Sequence, residues 1–245
     1  EGIQYKLGEV SFEGETGKFS LSELKNVISI KKHPMLKNIK ASSEFTFGLV
    51  FDSLRNLSLG TQSSKNGYWR QQEDRLRGSQ LYEKKLGIVG YGRIGSNVAK
   101  YAKSFGMKCL ANDPHKKKYL VSKGMYANLD RLIKTSDVIL ISVHLNASTK
   151  NLVNKTFLRK MNKNAILVNT SRGEVVDEKA LLNVLKNKLI KSAYLDVITN
   201  EQQSDLSSHP LIEYSKKNNN LTITPHMAGL TFESENIAAE IVINL

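Results

Sequence analysis

One cysteine, one tryptophan, four prolines and no long apolar run are the scarcities of this 245-residue chain. Cys109 has no second thiol to pair with, which excludes a disulfide-stapled secreted scaffold and predicts a reducing, cytoplasmic setting. Its apolar neighbours make it a small buried hydrophobe rather than a nucleophile. No segment reaches the roughly 18–20 apolar residues of a membrane-spanning helix, and residues 1–6 lack the basic-then-apolar order of a secretory leader. No grouping of His, Cys and carboxylates has zinc-site spacing. Acidic residues are also in deficit, 23 against 36 Lys and Arg, for a formal charge of +13. The basic residues are spread along the chain, with short clusters only at 31–32, 116–118 and 216–217 and no interleaved aromatics, so neither a nucleic-acid platform nor a membrane partner is predicted. A positive field that draws in small anions is the functional reading of that charge.

What is present is the composition of a globular protein, 40% hydrophobic and 24% charged. From residue 85 onward, β-branched apolar runs alternate with helical patterns, the signature of βαβ units and a parallel sheet covered on both faces. Strands are predicted at 86–89, 108–112, 138–144, 165–169, 193–197 and 221–224, and helices at 94–104, 117–122, 129–134, 155–161 and 177–187. The fold class is therefore α/β, a doubly wound dinucleotide-binding (Rossmann) sheet. Ahead of it, Phe45, Leu49, Val50, Leu54 and Leu57 share a helical spacing that predicts one long amphipathic helix over 41–57. Residues 1–40 are weakly periodic, with only short strands suggested, and 233–245 reads as a helix that stops without a cap.

The sequence GYGRIG follows the first predicted strand and opens a helix, the context in which a glycine fingerprint has meaning. Gly90 allows the tight turn, Gly92 lets backbone approach a pyrophosphate, and Gly95 lets helix and strand pack closely. The helix start offers N–H groups to phosphate, those of Arg93 and Ile94 first. Asp113 ends the next strand eighteen residues past Gly95, where a carboxylate accepts from ribose hydroxyls and repels a 2′-phosphate. NAD rather than NADP is the predicted cofactor, with Lys116 to Lys118 close enough to soften that preference.

Beyond these motifs, ASSEFTFGLV at 41, GYWR at 67, the segment from 86 to 114, LVNTSRGEVVDEKAL at 167, LDVITNE at 195 and TPHMAG at 224 stand in the order and near the spacing of one family. From residue 41 onward the chain resembles the D-isomer-specific 2-hydroxyacid dehydrogenases, phosphoglycerate dehydrogenase among them. The resemblance implies hydride transfer between NAD(H) and a small anionic 2-oxo or 2-hydroxy acid. By it, Arg172 grips the substrate carboxylate and polarises the 2-oxo group, a task suited to a forked, permanently charged guanidinium. His226 exchanges a proton with the substrate oxygen, for which imidazole is the apt side chain near neutral pH, and Glu201 orients it. Asp196 meets the nicotinamide amide, Thr170 and Ser171 border that ring, Leu145 offers backbone to the cofactor, and Gly229 is a further cofactor-binding residue. His33 and His209, each beside a proline, read as surface loop residues, His115 as part of a basic loop, and His144 as a structural strand end.

The resemblance further implies a homodimer built on the 41–57 helix and the arm reaching to residue 81. The expected organisation is a partial, flavodoxin-like substrate domain or an atypical N-terminal segment over 1–40, the NAD-binding domain over 41–228, and a helix over 229–245 returning toward the substrate domain. Two departures stand out. The loop at 146–149 is short and lacks the family's proline, and residues 1–40 show no match to the glycine-containing loop that grips the substrate carboxylate. With Glu1 at the start, the chain reads as a fragment or truncated frame, so an NADH-sensing, corepressor-like protein and an inactive NAD-binding fragment are the alternatives.

Overall fold

A computed structural model describes residues 3–6, 9–12 and 40–243 of the chain. Predictions for His33, for the remainder of 1–39 and for 244–245 lie outside the described residues. The chain divides into two compact units, Glu1–Ala41 with Leu230–Leu245, and Ser42–Gly229. In the first, β1 (Ile3–Lys6) pairs antiparallel with β2 (Glu9–Phe12), Ile3 opposite Phe12 and Lys6 opposite Glu9.

Where one long helix was expected over 41–57, the chain forms α1 (Ala41–Arg55) and α2 (Leu57–Lys65), broken at Asn56. Asn56 takes a left-handed conformation (φ 55°), which Asn tolerates better than most residues, and its amide nitrogen donates to the carbonyls of Leu76 and Arg77, each at 3.2 Å. Asp52 supplies the missing cap for the second helix by accepting from the Ser58 backbone N–H at 2.8 Å and from its hydroxyl. The break puts Leu57 on the surface, 55% exposed, whereas Leu49, Val50 and Leu54 are buried. A short α3 (Glu73–Leu76) follows.

The parallel sheet begins with β3 (Lys85–Val89), α4 (Arg93–Ser104) and β4 (Lys108–Asn112), then α5 (Lys117–Ser122) and α6 (Leu129–Thr135). It continues through β5 (Val138–Ile141), α7 (Lys155–Lys160), β6 (Ile166–Asn169), α8 (Glu178–Lys186), β7 (Ser192–Leu195), α9 (Pro210–Ser215) and β8 (Leu221–Ile223). The spatial order is β4-β3-β5-β6-β7-β8, every pair parallel. A single bridge between Ala111 and Tyr126 adds a one-residue strand outside β4, which completes the doubly wound order. The order reverses between β3 and β5, so the crevice beyond their C-terminal ends is where such a sheet takes its ligand. Alternation along each strand feeds two cores. Ile139 and Ile141 pack with Leu158, Leu181 and Leu185 on one face, and Val138 and Leu140 with Val50, Leu54 and Val98 on the other. That is the two-sided burial predicted from the unbroken apolar strands.

Strand ends needed correction. The run at 138–144 stops pairing at Ile141, because the chain must turn past the Gly90 loop: a Cβ on Gly90 would lie 2.2 Å from the Ser142 carbonyl oxygen. His144 is therefore an exposed loop residue rather than a strand end. The run at 193–197 ends at Leu195, and β4 ends at Asn112, which leaves Asp196 and Asp113 each one residue past the sheet, in the loops that build the site. The last helix, α10 (Phe232–Ile243), belongs to the first unit.

Candidate active site

The glycine turn is built as its sequence requires. Gly90 has φ 92° and donates its N–H to the Asn112 carbonyl at 2.8 Å; Gly95 sits where a Cβ would be 2.4 Å from the Gly90 oxygen. Neither position admits a side chain. Gly92 differs: a Cβ there would meet nothing within 4 Å, so this glycine is not required by the protein's own packing. It stands as the N-cap of α4, beside the first-turn residues Arg93 and Ile94, where the positive end of the helix dipole lies. Open space at a helix N-terminus is a cradle that suits a pyrophosphate. Asp113 ties the rim together, one carboxylate oxygen accepting from the Tyr91 N–H at 2.9 Å and the other from the His115 N–H at 3.0 Å. Each oxygen keeps a lone pair for a ribose hydroxyl.

Across the crevice, the loop after β5 holds its shape without the absent proline. The Asn146 side-chain oxygen accepts from the Ser148 N–H at 2.8 Å and the Ser148 hydroxyl at 2.7 Å, and the Thr149 hydroxyl donates to the His144 carbonyl at 2.6 Å. This Asx turn does locally what a rigid ring would do. Leu145, at its crest, is exposed.

After β6 the chain bends through Thr170, Ser171 and Arg172, and the residue that shapes the bend is one sequence reasoning passed over. Asn169, 0% exposed, accepts from the Ser171 N–H at 3.0 Å and hydroxyl at 2.6 Å, and donates to the Arg172 carbonyl at 3.0 Å. Its place at the last paired position of β6 was the available signal. Thr170 shares a 2.8 Å hydroxyl hydrogen bond with Thr46 of α1, which fixes the loop to that helix. The Arg172 guanidinium donates to the Ser171 carbonyl at 2.6 Å and its charge acts on Glu201.

His226 and Glu201 meet directly, imidazole Nδ1 lying 2.7 Å from Glu201 Oε1. With Nδ1 engaged, Nε2 is the imidazole atom available for a substrate oxygen. His226 holds φ 50°, a conformation costing a non-glycine residue about 1–3 kcal/mol. The cost is met by Asp196: its carbonyl accepts from the His226 N–H at 2.8 Å, and its carboxylate accepts from the Thr224 hydroxyl (2.6 Å), the Met227 N–H (3.0 Å) and the Ala228 N–H (2.9 Å). Asp196 is only 1% exposed, so its first task is to hold the loop that ends at Gly229, with one lone-pair site left for an amide. Burial alone would push the Glu201 carboxyl up. The His226 hydrogen bond and charge, a backbone hydrogen bond at Ile198 and the Arg172 charge outweigh it and hold the group below the ordinary glutamate range.

Cys109 is buried, and burial pushes its thiol up to about 11, so it is chemically inert as expected. His115 is exposed in the basic turn. His209 is not a surface residue: its side chain is 9% exposed and its Nε2 lies 3.3 Å from Glu178. The following proline starts a helix that the sequence reading missed, and His209 is its N-cap. Among the described residues, no helix is long and apolar enough to cross a membrane.

The family model for the NAD binding domain of D-isomer specific 2-hydroxyacid dehydrogenases matches residues 47–228. The D-3-phosphoglycerate dehydrogenase of Methanocaldococcus jannaschii is 37% identical over 203 residues, 82% of this chain and 37% of the relative. The hydroxypyruvate reductase of Thermotoga maritima is 36% identical over 193 residues, 79% of this chain and 61% of the relative. The crystal structure of a D-lactate dehydrogenase from Aquifex aeolicus, complexed with NAD and lactic acid, superposes with a TM-score of 0.76 at 30% identity, covering 84% of this chain and 64% of that one. The chain thus spans less than two thirds of the length of each of these proteins.

Proposed function

The chain belongs to the D-isomer specific 2-hydroxyacid dehydrogenases, and from that membership we propose that it interconverts a small 2-oxo acid and its 2-hydroxy acid with NAD(H). The observation that carries the reading is the His226–Glu201 pair at 2.7 Å, with the Arg172 charge acting on the same carboxylate, beyond the strand ends that also hold the glycine turn. Gly92, at the open start of α4, and Asp113 are the residues that would hold NAD(H), which when bound would supply or accept the hydride. Arg172 swings from the Ser171 carbonyl to fork onto the substrate carboxylate, and its charge draws electron density from the adjacent carbonyl. His226 Nε2 gives its proton to the carbonyl oxygen as that oxygen gains charge, and takes it back in the reverse direction. Glu201 keeps the ring oriented and balances its positive form. The carboxylate of Asp113 sets the preference for NAD over NADP.

The test is NADH oxidation by a panel of small 2-oxo acids, with Arg172→Lys beside the wild type. Turnover with at least one acid is expected, with KM raised in the lysine variant because an ammonium cannot form the two-bond fork. Failure of every acid to oxidise NADH would overturn the reading. A corepressor-like role has no observation of its own in the site.

A homodimer and a cytoplasmic setting belong to the same proposal. Supporting the dimer, the arm after α2 leaves Trp69 71% exposed, with Tyr68 and Tyr82 also on the surface. Light scattering is expected to give twice the mass of one chain, and Trp69→Glu to return it to one; a monomeric wild type removes the dimer from the proposal.

A further inference from the structure

Among the described residues, a largely buried pair of ionisable side chains, Glu178 and His209, stands outside the groups that meet substrate or cofactor. Glu178 stands in the first turn of α8, but that turn is already capped by Asp177, which accepts from the Ala180 N–H at 2.9 Å. The Glu178 carboxylate reaches away instead. Oε1 accepts from the Thr199 N–H at 2.6 Å, Oε2 accepts from the Thr199 hydroxyl at 2.6 Å, and Oε2 lies 3.3 Å from His209 Nε2. His209 Nδ1 accepts from the Leu211 N–H at 3.3 Å, so the proton sits on Nε2 and points at the carboxylate. The Glu178 side chain is 15% exposed, and these donors satisfy a carboxylate that would otherwise be costly to bury.

Both ends of one loop are thereby tied to a single carboxylate. The loop runs from Thr199 to His209, and Glu201 lies two residues inside its first end. Its start is indexed a second time by Gly173, where a Cβ would stand 2.1 Å from the Ile198 carbonyl carbon and 2.4 Å from the Thr199 nitrogen. Gly173 immediately follows Arg172. One peptide, Ile198–Thr199, is therefore held by the Arg172 loop on one side and by Glu178 on the other, and it sets where Glu201 emerges.

We propose that Glu178, Thr199 and His209 form a clasp that positions Glu201 against His226 in register with Arg172. Glu178 is then a positioning residue, acting on the proton-transfer pair through the loop. The inference rests on the proposed reaction for its purpose, but its physical content concerns Glu201 alone and can be read without turnover. Leu206 and Leu211 still anchor the loop and α9 to the core when the clasp is opened, so its variants are expected to fold.

The experiment is carbon NMR on the whole chain carrying glutamate labelled at the carboxyl carbon, titrated with acid, the Glu201 signal being assigned with Glu201→Gln. In the wild type Glu201 titrates below the ordinary glutamate range. In Glu178→Gln and Thr199→Val the signal is expected to titrate higher, because the carboxyl stays buried while its contact with His226 slackens. His209→Ala should do the same, and His209→Gln, whose amide can still donate, should restore the wild-type curve. NADH affinity stays at the wild-type value throughout. If Glu201 titrates identically in all four variants, even with lowered melting temperatures, the clasp is only a loop anchor and the proposal is overturned. Absence of turnover in the wild type would count against the proposed reaction and leave this result standing.

Discussion

Replacing His226 with glutamine lowers NADH-dependent turnover of a 2-oxo acid by about 10²–10⁴-fold, the range lost with a general acid, while NADH binding persists. The amide fills much of the imidazole's volume and can still reach Glu201, but it has no proton to give. Steady-state rates with NADH fluorescence titration check both halves, and an unimpaired rate would remove His226 from the mechanism. The same variant has a pH signature. In the wild type the Glu201 carboxyl is held below its ordinary range, so the pair adds stability that is fully present above that range and lost as pH falls through the lowered value. With a neutral amide in place of the imidazole, the positive charge is lost and burial is opposed by Ile198, Arg172 and at most one neutral hydrogen bond. The variant's stability deficit against the wild type should therefore be largest near neutral pH and shrink on acidification, as thermal melts across pH would show.

A pair of glycine variants separates folding from cofactor binding. Gly90→Ala is expected to cost about 1–3 kcal/mol or more, since φ 92° disfavours any side chain and the added carbon meets the Ser142 backbone oxygen at 2.2 Å, which cannot swing away as a side chain could. Gly92→Val should leave the melting temperature of the protein alone nearly unchanged, because nothing lies within 4 Å of its Cβ position, yet abolish measurable NADH binding by filling the place of the pyrophosphate. Calorimetric melts with and without NADH distinguish the two. A Gly92→Val protein that bound NADH as the wild type does would place the cofactor elsewhere.

Strand positions and the cofactor turn were legible because they depend on local signals. Apolar β-branched runs have few alternatives to a covered sheet, and GYGRIG occurs between a strand and a helix. The breaks were harder to read. Asn56 splits a pattern whose hydrophobic spacing runs unbroken to Leu57, because Asp52, four residues earlier, caps the second helix, and such a cap is seen only once the chain has turned. His209 looked like a loop residue because its partner, Glu178, lies across the β7 connection. Asn169 and Asp196 show the same limit: the first was passed over and the second was assigned only to the nicotinamide, because their service to neighbouring loops is visible only in the hydrogen bonds. Arg172, Glu201 and His226 came from resemblance; spacing alone could not bring together residues separated by whole βα units.

The bridge at Tyr126 has a bearing on how the protein survives at high concentration. A parallel sheet leaves a row of backbone donors and acceptors along each outer strand, a template on which other chains can add. Here the outer side of β4 is covered: the Ala111 N–H donates to the Met125 carbonyl at 2.8 Å, the Ala127 N–H to the Ala111 carbonyl at 3.0 Å, and the Asn112 side chain to the Ala127 carbonyl at 2.9 Å. Beyond that segment the pairing geometry lasts for a single residue, and at the opposite margin β8 has only three. Neither margin offers the long, flat strand that nucleates cross-β assembly, so the sheet that gathers the site's loops is also poorly suited to seeding aggregates.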